Sequence, residues 1–383
     1  MFFKISILVL SVSVVVYYVY FHHQIKESEE GVTDFLSGEE DEVVEINATQ
    51  ESAQEDDIAG NPQAPDVPSM HLAVVACGDR LEETLVMIKS ALILSRDVIK
   101  VHIFAEYDLH LGFKQQLDKW LAASQGTFTY QLYPITYPEN YNVEEWKKVF
   151  KPCATQRLFL PYVMKDVDSL LYVDTDILFM RPFDDIWSFF KEFNSSHIAA
   201  LAPEHMDGAA GWYNRFAMHP YYGPLGMNSG VMLMNLTRMR KFPWIELVTK
   251  FYEVYKLNIT WGDQDLINIV FHFHPDKLFE LTCDWNYRPD HCMYMSVCKD
   301  GEKEGISVVH GNRGVYHNDK QPVFKAVYEA FKQYNIGDDL RSGLLQQMRE
   351  NIDKGPKSNC GDVKHIFTKQ LEKQVTLFEE RTK

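Results

Sequence analysis

Leu170-Leu-Tyr-Val-Asp-Thr-Asp-Ile-Leu-Phe179 is the segment of this 383-residue sequence that is most informative about its structure. An apolar run ends in two carboxylates, Asp174 and Asp176, and then becomes apolar again. In an extended backbone, residues two apart point to the same face, so these side chains lie close together and repel. Burying such a pair is costly unless a cation compensates it. The stretch therefore predicts a divalent metal site at the end of a buried strand, with a surface turn as the alternative.

Apolar runs alternate with helical periodicity on the amino-terminal side of this stretch. The segments that indicate strands are 71–77, 99–105, 127–133 and 170–174. The segments that indicate helices are 81–92, 109–124 and 154–164. This alternation predicts an α/β fold with a mostly parallel sheet and helices on both faces. Because ligands bind beyond the carboxyl ends of such strands, Asp174 and Asp176 lie where a site is expected.

The chain ends carry predictions about location and domain organisation. The apolar run 5–21 follows Lys4 and is at the short end of the membrane-spanning range of about 17–25 residues. It predicts a signal-anchor helix with 1–4 in the cytosol, and a cleaved signal peptide is the alternative. We expect an acidic disordered stem over 22–70, a lumenal catalytic domain over 71–336, and a helical or flexible extension over 337–383. The predicted location is a single-pass type II protein of the Golgi or ER membrane.

Charge, sequons and cysteines refine this prediction. The net charge of -16 leaves no basic surface typical of nucleic-acid binding. The candidate N-glycosylation sites are Asn47, Asn194, Asn235 and Asn258. The six cysteines, an even number, permit disulfides without fixing their pairing. The cluster of Cys283, Cys292 and Cys298 has no strong zinc spacing, so disulfides or buried thiols are the favoured interpretation.

Two further motifs contain groups that suit chemistry. Trp261-Gly-Asp-Gln-Asp-Leu-Ile-Asn268 is acidic before an apolar run, which indicates either a helix N-terminus or a functional site. Val308-Val-His-Gly-Asn-Arg-Gly314 places a histidine between β-branched residues and glycines. That histidine, His310, is either a hydrogen-bonded loop residue or a third metal ligand.

Together these motifs resemble glycosyltransferase family 8 over roughly residues 71–330. The resemblance implies a GT-A fold, a retaining mechanism, and a manganese or other divalent ion bound with the nucleotide diphosphate. The implied metal ligands are Asp174, Asp176 and His310. The implied donor-binding residues are Ala76 and Cys77 near the uridine, and Arg157, Asp174, Thr175, Asp176, Asn228, Ser229 and Gly230. The implied catalytic pair beside the anomeric carbon is Asp263 and Gln264.

One departure from the family pattern leaves a residue unassigned. Many members follow the metal-ligand histidine with Gly-X-X-Lys-Pro-Trp, whose lysine contacts the diphosphate. This sequence has Gly-Asn-Arg-Gly-Val-Tyr-His-Asn-Asp-Lys after His310. Arg313 and Lys320 are the two alternatives for the diphosphate contact.

Longer stretches resemble the glucoside xylosyltransferases within that family. The stretches are Val173–Phe179, Ala202–His205, Asn228–Thr237, Ile259–Asp265, Trp285–Tyr294 and His310–Tyr316. This resemblance implies transfer of xylose from UDP-xylose, in α-1,3 linkage, to glucose O-linked to EGF-like repeats such as those of Notch. A relative that uses UDP-glucose or UDP-galactose, and an inactive sugar-binding or chaperone-like relative, are the alternatives.

Overall fold

The structure is a computed structural model that describes residues 70–124, 126–137, 146 and 153–381. These residues belong to one compact unit, Asp66–Lys383. The predicted cytosolic tail, the predicted anchor at 5–21, and the predicted stem up to residue 69 lie outside the described residues. Within the described part of the chain, no helix combines the length and the apolar character that crossing a bilayer requires. We therefore correct the prediction of a transmembrane helix and of a single-pass Golgi or ER membrane protein.

A mixed sheet of seven strands forms the centre of the fold. The strands are β1 (Met70–Ala76), β2 (Ile99–Ala105), β3 (Phe128–Pro134), β4 (Ser169–Val173), β6 (Ala199–Pro203), β7 (Met227–Asn235) and β8 (Leu278–Glu280), beside a separate ribbon of β5 (Ile177–Phe179) and β9 (Val308–His310). The order across the sheet is β3-β2-β1-β4-β7-β6-β8. Among the described strands of this seven-stranded sheet, only the β4–β7 and β6–β7 pairs are antiparallel. The α/β class and the largely parallel sheet are as the sequence predicts.

Helices cover the sheet on both faces. They are α1 (Leu81–Leu94), α2 (Tyr107–Ala123), α3 (Gln156–Val163), α4 (Phe183–Trp187), α5 (Trp212–Phe216), α6 (Leu236–Lys241), α7 (Trp244–Tyr255), α8 (Asp263–Phe273), α9 (Lys299–Glu304), α10 (Pro322–Gln333), α11 (Gln347–Lys354), α12 (Asn359–Asp362) and α13 (His365–Arg381). Strand β7 is buried at eight consecutive positions. Since neighbouring strand residues face opposite sides, both sides of the sheet at β7 are covered.

The carboxyl-terminal segment is helical and packs on a second apolar core. A π-helix, Leu340–Gln346, leads into α11, and the buried side chains of α13 include Ile366, Phe367 and Leu371. These side chains pack with α10 and with the segment around Tyr287. The disulfide Cys292–Cys360 also joins this segment to the rest of the fold. The domain division at residue 336 stays a prediction.

All six cysteines form disulfides. The pairs are Cys77–Cys153, Cys283–Cys298 and Cys292–Cys360. This pairing agrees with the favoured interpretation of the cysteine cluster and excludes both zinc ligation and free thiols there.

Candidate active site

Two carboxylates and a histidine meet at the carboxyl end of β4. Asp174 follows β4 directly, and Asp176 immediately precedes β5. His310 ends β9 and is opposite Ile177 in the β5–β9 ribbon, which brings it beside Asp176. Its Nε2 is 3.3 Å from Asp176 Oδ1 and 3.8 Å from Asp174 Oδ2. One ligand atom from each residue lies within 4.8 Å of the others, so a single ion can contact all three.

A chain of hydrogen bonds determines which nitrogen of His310 faces the carboxylates. The backbone N–H of Gly230 donates to Asn228 Oδ1 over 3.0 Å, which identifies that atom as the amide oxygen. Asn286 Nδ2 donates to the same oxygen over 2.7 Å, so Asn286 turns its own oxygen to His310 Nδ1, 2.8 Å away. Nδ1 therefore carries the proton, and Nε2 is the nitrogen available to a cation.

Gly230 leaves the space that the His310 ring occupies. A Cβ at residue 230 would lie 2.3 Å from His310 Cε1 and 2.8 Å from Nδ1. The Gly230 carbonyl also accepts the backbone N–H of Asp174 over 2.9 Å. Gly230 thus positions two candidate metal ligands: Asp174 through a backbone hydrogen bond, and His310 because glycine has no side chain to occupy the space of the ring.

The electrostatics suit a cation. Burial favours the neutral form of Asp176, but the neighbouring His310 and Arg80 outweigh it and lower the pKa of Asp176 below its usual value. Asp176 is therefore held in its carboxylate form, the form in which it can bind a metal ion. Two carboxylates and an imidazole with a fixed tautomer are a donor set that fits a divalent ion.

Arg157 on α3 lies between the metal cluster and the start of α8. It forms ion pairs with Asp263 and, over 3.3 Å, with Asp174 Oδ1. One guanidinium nitrogen of Arg157 donates to the Ser229 carbonyl. The Cζ atom of Arg157 lies 4.6 Å from the centroid of the Tyr172 ring. Burial raises the pKa of Asp263 to about 6, and the charge of Asp174 adds to this while Arg157 opposes it. Arg157 is thus the cation that compensates both carboxylates.

The amide of Gln264 is held at both ends. Its Nε2 donates to Glu204 Oε2 over 3.1 Å. Its Oε1 accepts from Asn228 Nδ2 at 3.1 Å, and from the N–H and hydroxyl of Ser229 at 3.3 and 3.4 Å. The amide oxygen is therefore occupied, and the second hydrogen on Nε2 is the part of the group left to bind a ligand.

The Trp261–Asn268 motif forms the start of α8, and two of its side chains line the candidate site. Gly262 has φ +76°, a conformation that suits glycine, and turns the chain into α8. Asp265 is fully buried, and its Oδ2 accepts the backbone N–H groups of Thr260 and Trp261 over 2.7 Å each. Asp265 therefore stabilises the helix start, whereas Asp263 and Gln264 face the site.

The remaining implied donor residues lie at the same edge with different surroundings. Ala76 is buried at the end of β1, and Cys77 forms the disulfide to Cys153 that links β1 to the segment before α3. Thr175, between the two aspartates, donates its hydroxyl to Glu83 Oε1 over 2.7 Å and not to the metal cluster.

The two alternatives for the diphosphate contact differ in whether the charged side chain already has a partner. Arg313 has φ +62°, and its guanidinium is bound to both carboxylate oxygens of Asp290, at 3.0 and 2.7 Å. Lys320 is exposed, and its backbone N–H is bonded to Asn318. Since Arg313 already has a carboxylate partner, the free lysine is the better candidate for an incoming phosphate.

The candidate glycosylation sites differ in exposure. Asn47 lies outside the described residues. Asn194 is exposed, and Asn258 is half-buried in the turn after α7. Asn235 is half-buried, and its Oδ1 accepts the Arg238 N–H at the start of α6. Their modification stays a prediction.

Sequence reasoning missed several residues of the site. Glu204 binds Asn228, Gln264 and, over 2.7 Å, Arg288. Asn286 orients His310, and Glu83 binds Thr175. Glu204 and Asn286 fall in stretches that carry the resemblance, but they lie in irregular backbone, where no periodicity indicates which way a side chain points.

Comparisons with known proteins give a family match and several similar relatives. The family described as glycosyl transferase family 8 matches residues 71–313. Glucoside xylosyltransferase 1 of Gallus gallus is 57% identical over 318 residues, which cover 80% of this chain and 73% of that protein. The Homo sapiens protein of the same name is 57% identical over 320 residues, covering 81% and 72%.

A solved structure supports the fold. The crystal structure of the galactosyltransferase LgtC with donor and acceptor sugar analogs matches with a TM-score of 0.52, covering 72% of this chain and 100% of that one. Its identity is 18%, so it is informative about the fold alone. The family match covers more than half of the sequence, and this chain belongs to glycosyl transferase family 8.

Proposed function

We propose that this protein is a retaining xylosyltransferase that moves xylose from UDP-xylose, in α-1,3 linkage, to glucose O-linked on EGF-like repeats such as those of Notch. Relatives that are 57% identical over four fifths of the chain are named glucoside xylosyltransferases, which supports a xylosyl donor and a glucoside acceptor. The observation that carries the proposal is the cluster of Asp174, Asp176 and His310 beside the fixed amide of Gln264.

Asp174, Asp176 and His310 would hold the divalent cation, which is Mn²⁺ in this proposal. A cation bound there supplies positive charge that neutralises the leaving diphosphate. Lys320, on the loop that follows β9, would bind a phosphate of the donor. Arg157 keeps Asp263 and Asp174 compensated, so the anionic donor does not meet an excess of negative charge.

Hydrogen bonds favour direct front-face attack over a covalent enzyme intermediate. A double displacement needs a free nucleophile below the anomeric carbon. Gln264 Oε1 already accepts three hydrogen bonds, and Asp263 is paired with Arg157. In the proposed reaction Gln264 donates to the sugar, the acceptor hydroxyl attacks on the face that UDP leaves, and the leaving phosphate takes its proton. Asp263 as a transient nucleophile is the less favoured route.

A donor panel tests the proposal. The purified protein is incubated with Mn²⁺, a glucosylated EGF repeat, and UDP-xylose, UDP-glucose or UDP-galactose in turn. We expect transfer from UDP-xylose, none after EDTA treatment, and none to the unglucosylated repeat. Preference for another UDP-sugar would identify a family 8 transferase with a different donor.

The variants Asp174→Asn and Asp176→Asn give a matched control, because each keeps the side-chain size and removes one charge. We expect both to lose transfer while remaining folded by circular dichroism. If the unaltered protein binds UDP with no response to Mn²⁺ and transfers no sugar, the alternative function, that of an inactive sugar-binding relative, is supported instead.

A further inference from the structure

Exposed large apolar side chains concentrate around the site. Twelve such side chains occur among the described residues, and five of them lie on the loop between β6 and β7 or just before α8. We call these five the apolar rim, and they are Met206, Trp212, Phe216, Met218 and Trp261. Trp212 is 47% exposed and Met218 is 55% exposed. Exposed apolar side chains that concentrate in one region often mark an interaction site.

The loop that carries the rim starts and ends in the active site. It begins with Glu204, directly after β6, and ends at β7, whose second residue is Asn228. Both residues bind Gln264. Trp261 lies two residues before Asp263. The rim therefore lies on segments that also carry Asp263 and the hydrogen-bond partners of Gln264.

Contacts beneath the rim hold the exposed rings in place. Tyr213 is buried, and its hydroxyl donates to Asp265 Oδ1 over 2.9 Å. Its ring packs 4.9 Å from Trp261. With Tyr213 pointing inward from α5, Trp212 and Phe216, one helical turn apart, face solvent and stack 4.8 Å from each other.

The base of the loop is fixed as well. The His205 ring is 3.0 Å from the carbonyls of Asp207 and Asp290. Gly211, within the loop, packs closely against His205, since a Cβ at residue 211 would lie 3.2 Å from His205 Cβ. A loop with this many internal bonds keeps its aromatic rings exposed at a defined place, which reduces the entropy lost when a partner binds.

We infer that the apolar rim is the docking surface for the protein part of the acceptor, an inference that rests on the proposed function. Small disulfide-dense modules such as EGF repeats bury little apolar surface, so they leave apolar side chains outside. Aromatic side chains with few rotatable bonds are typical anchors for such a surface. In the complex, apolar residues around the glucosylated side chain pack on Trp212 and Phe216, and the sugar reaches Gln264.

Two acceptors separate docking from chemistry. The variant Trp212→Ala/Phe216→Ala is compared with unaltered protein on a glucosylated EGF repeat and on 4-nitrophenyl glucoside, which has no protein part. We expect kcat/KM for the repeat to fall about 10- to 100-fold through KM, and kcat/KM for the small glucoside to stay within about twofold.

The variant Leu377→Ala/Phe378→Ala is the matched control, since these exposed apolar residues lie on α13, outside the rim. We expect it to leave both acceptors unaffected. Unchanged kinetics for the repeat, or an equal loss with both acceptors, would overturn the docking role. If unaltered protein uses neither acceptor, the proposed function is refuted and the docking inference with it.

Discussion

Replacing Gly230 by alanine tests how the metal cluster is held. The new methyl carbon would lie 2.3 Å from His310 Cε1, 2.8 Å from Nδ1 and 3.0 Å from Asn228 Oδ1. Carbon atoms in contact normally lie about 3.5–4.0 Å apart, so the overlap with the ring exceeds about 1 Å. His310 is buried and Gly230 is fixed in β7, so the side chain that must move is the imidazole.

The expected loss of metal affinity follows from the contacts that the His310 imidazole would lose. Turning away removes the hydrogen bond from Nδ1 to Asn286 and moves Nε2 from its 3.3 Å approach to Asp176. Loss of such an outer partner alone lowers metal affinity about 10- to 100-fold. We expect the half-saturating Mn²⁺ concentration of Gly230→Ala to rise by at least that factor. Overpacking should also lower the free energy of unfolding by about 1–3 kcal/mol.

The assay is a Mn²⁺ titration of sugar transfer, with metal-dependent UDP binding as a second readout. Gly208→Ala is the control, because the nearest atom to its new Cβ, Leu225 Cδ2, lies at an ordinary 3.7 Å. His310→Ala should reproduce the shift, and adding Gly230→Ala to it should change little, since both act on one group. A folded Gly230→Ala protein with an unaltered Mn²⁺ response would refute the reasoning.

Three further predictions concern the residues around the cluster. Asn286→Ala removes the acceptor of the His310 Nδ1–H, so the half-saturating Mn²⁺ concentration should rise about 10- to 100-fold, and an unchanged titration would contradict this role. Burial raises the pKa of Asp263 from 3.8 in the unfolded chain to about 6, so the folded protein holds a proton that the unfolded chain releases between these values. Its contribution to stability is therefore present below pH 4 and lost as the pH rises to 6, and urea unfolding should show this slope reduced in Asp263→Asn. Glu83→Gln removes the charge that holds Thr175, Arg80 and His317 at 2.6–2.7 Å, so the donor KM should rise more than kcat falls.

The strands and the two aspartates were predictable because their signals are local. β1, β2 and β4 are short apolar runs, and a carboxylate pair after such a run needs no knowledge of the rest of the chain. The burial pattern of β4 agrees with its sequence, since four consecutive positions are buried. The disulfide pairing and the strand order depend on contacts between distant segments, and the sequence leaves those open.

The position of His310 shows why the site itself was less predictable. Its role as a candidate metal ligand is implied by the resemblance and not by local periodicity, since β5 and β9 are three residues each and pair across more than 120 residues of chain. Asn286 lies in a 3₁₀ segment, Cys283–Asn286, where side-chain direction follows neither helical nor strand periodicity. The sequence after residue 337 is rich in polar residues because α13 buries only one of its faces.

Because β7 runs antiparallel to its two neighbours, residues from three strands lie together at one end of the sheet. Strands β4 and β6 run the same way, and β7 lies antiparallel between them, with Val173 opposite Val231 and Ala202 opposite Asn228. The carboxyl ends of β4 and β6, which lead to Asp174 and Glu204, therefore meet the amino-terminal end of β7. Were β7 parallel, Asn228 and Gly230 would lie at the opposite edge, and Gln264 and His310 would lose the partners that fix their orientation.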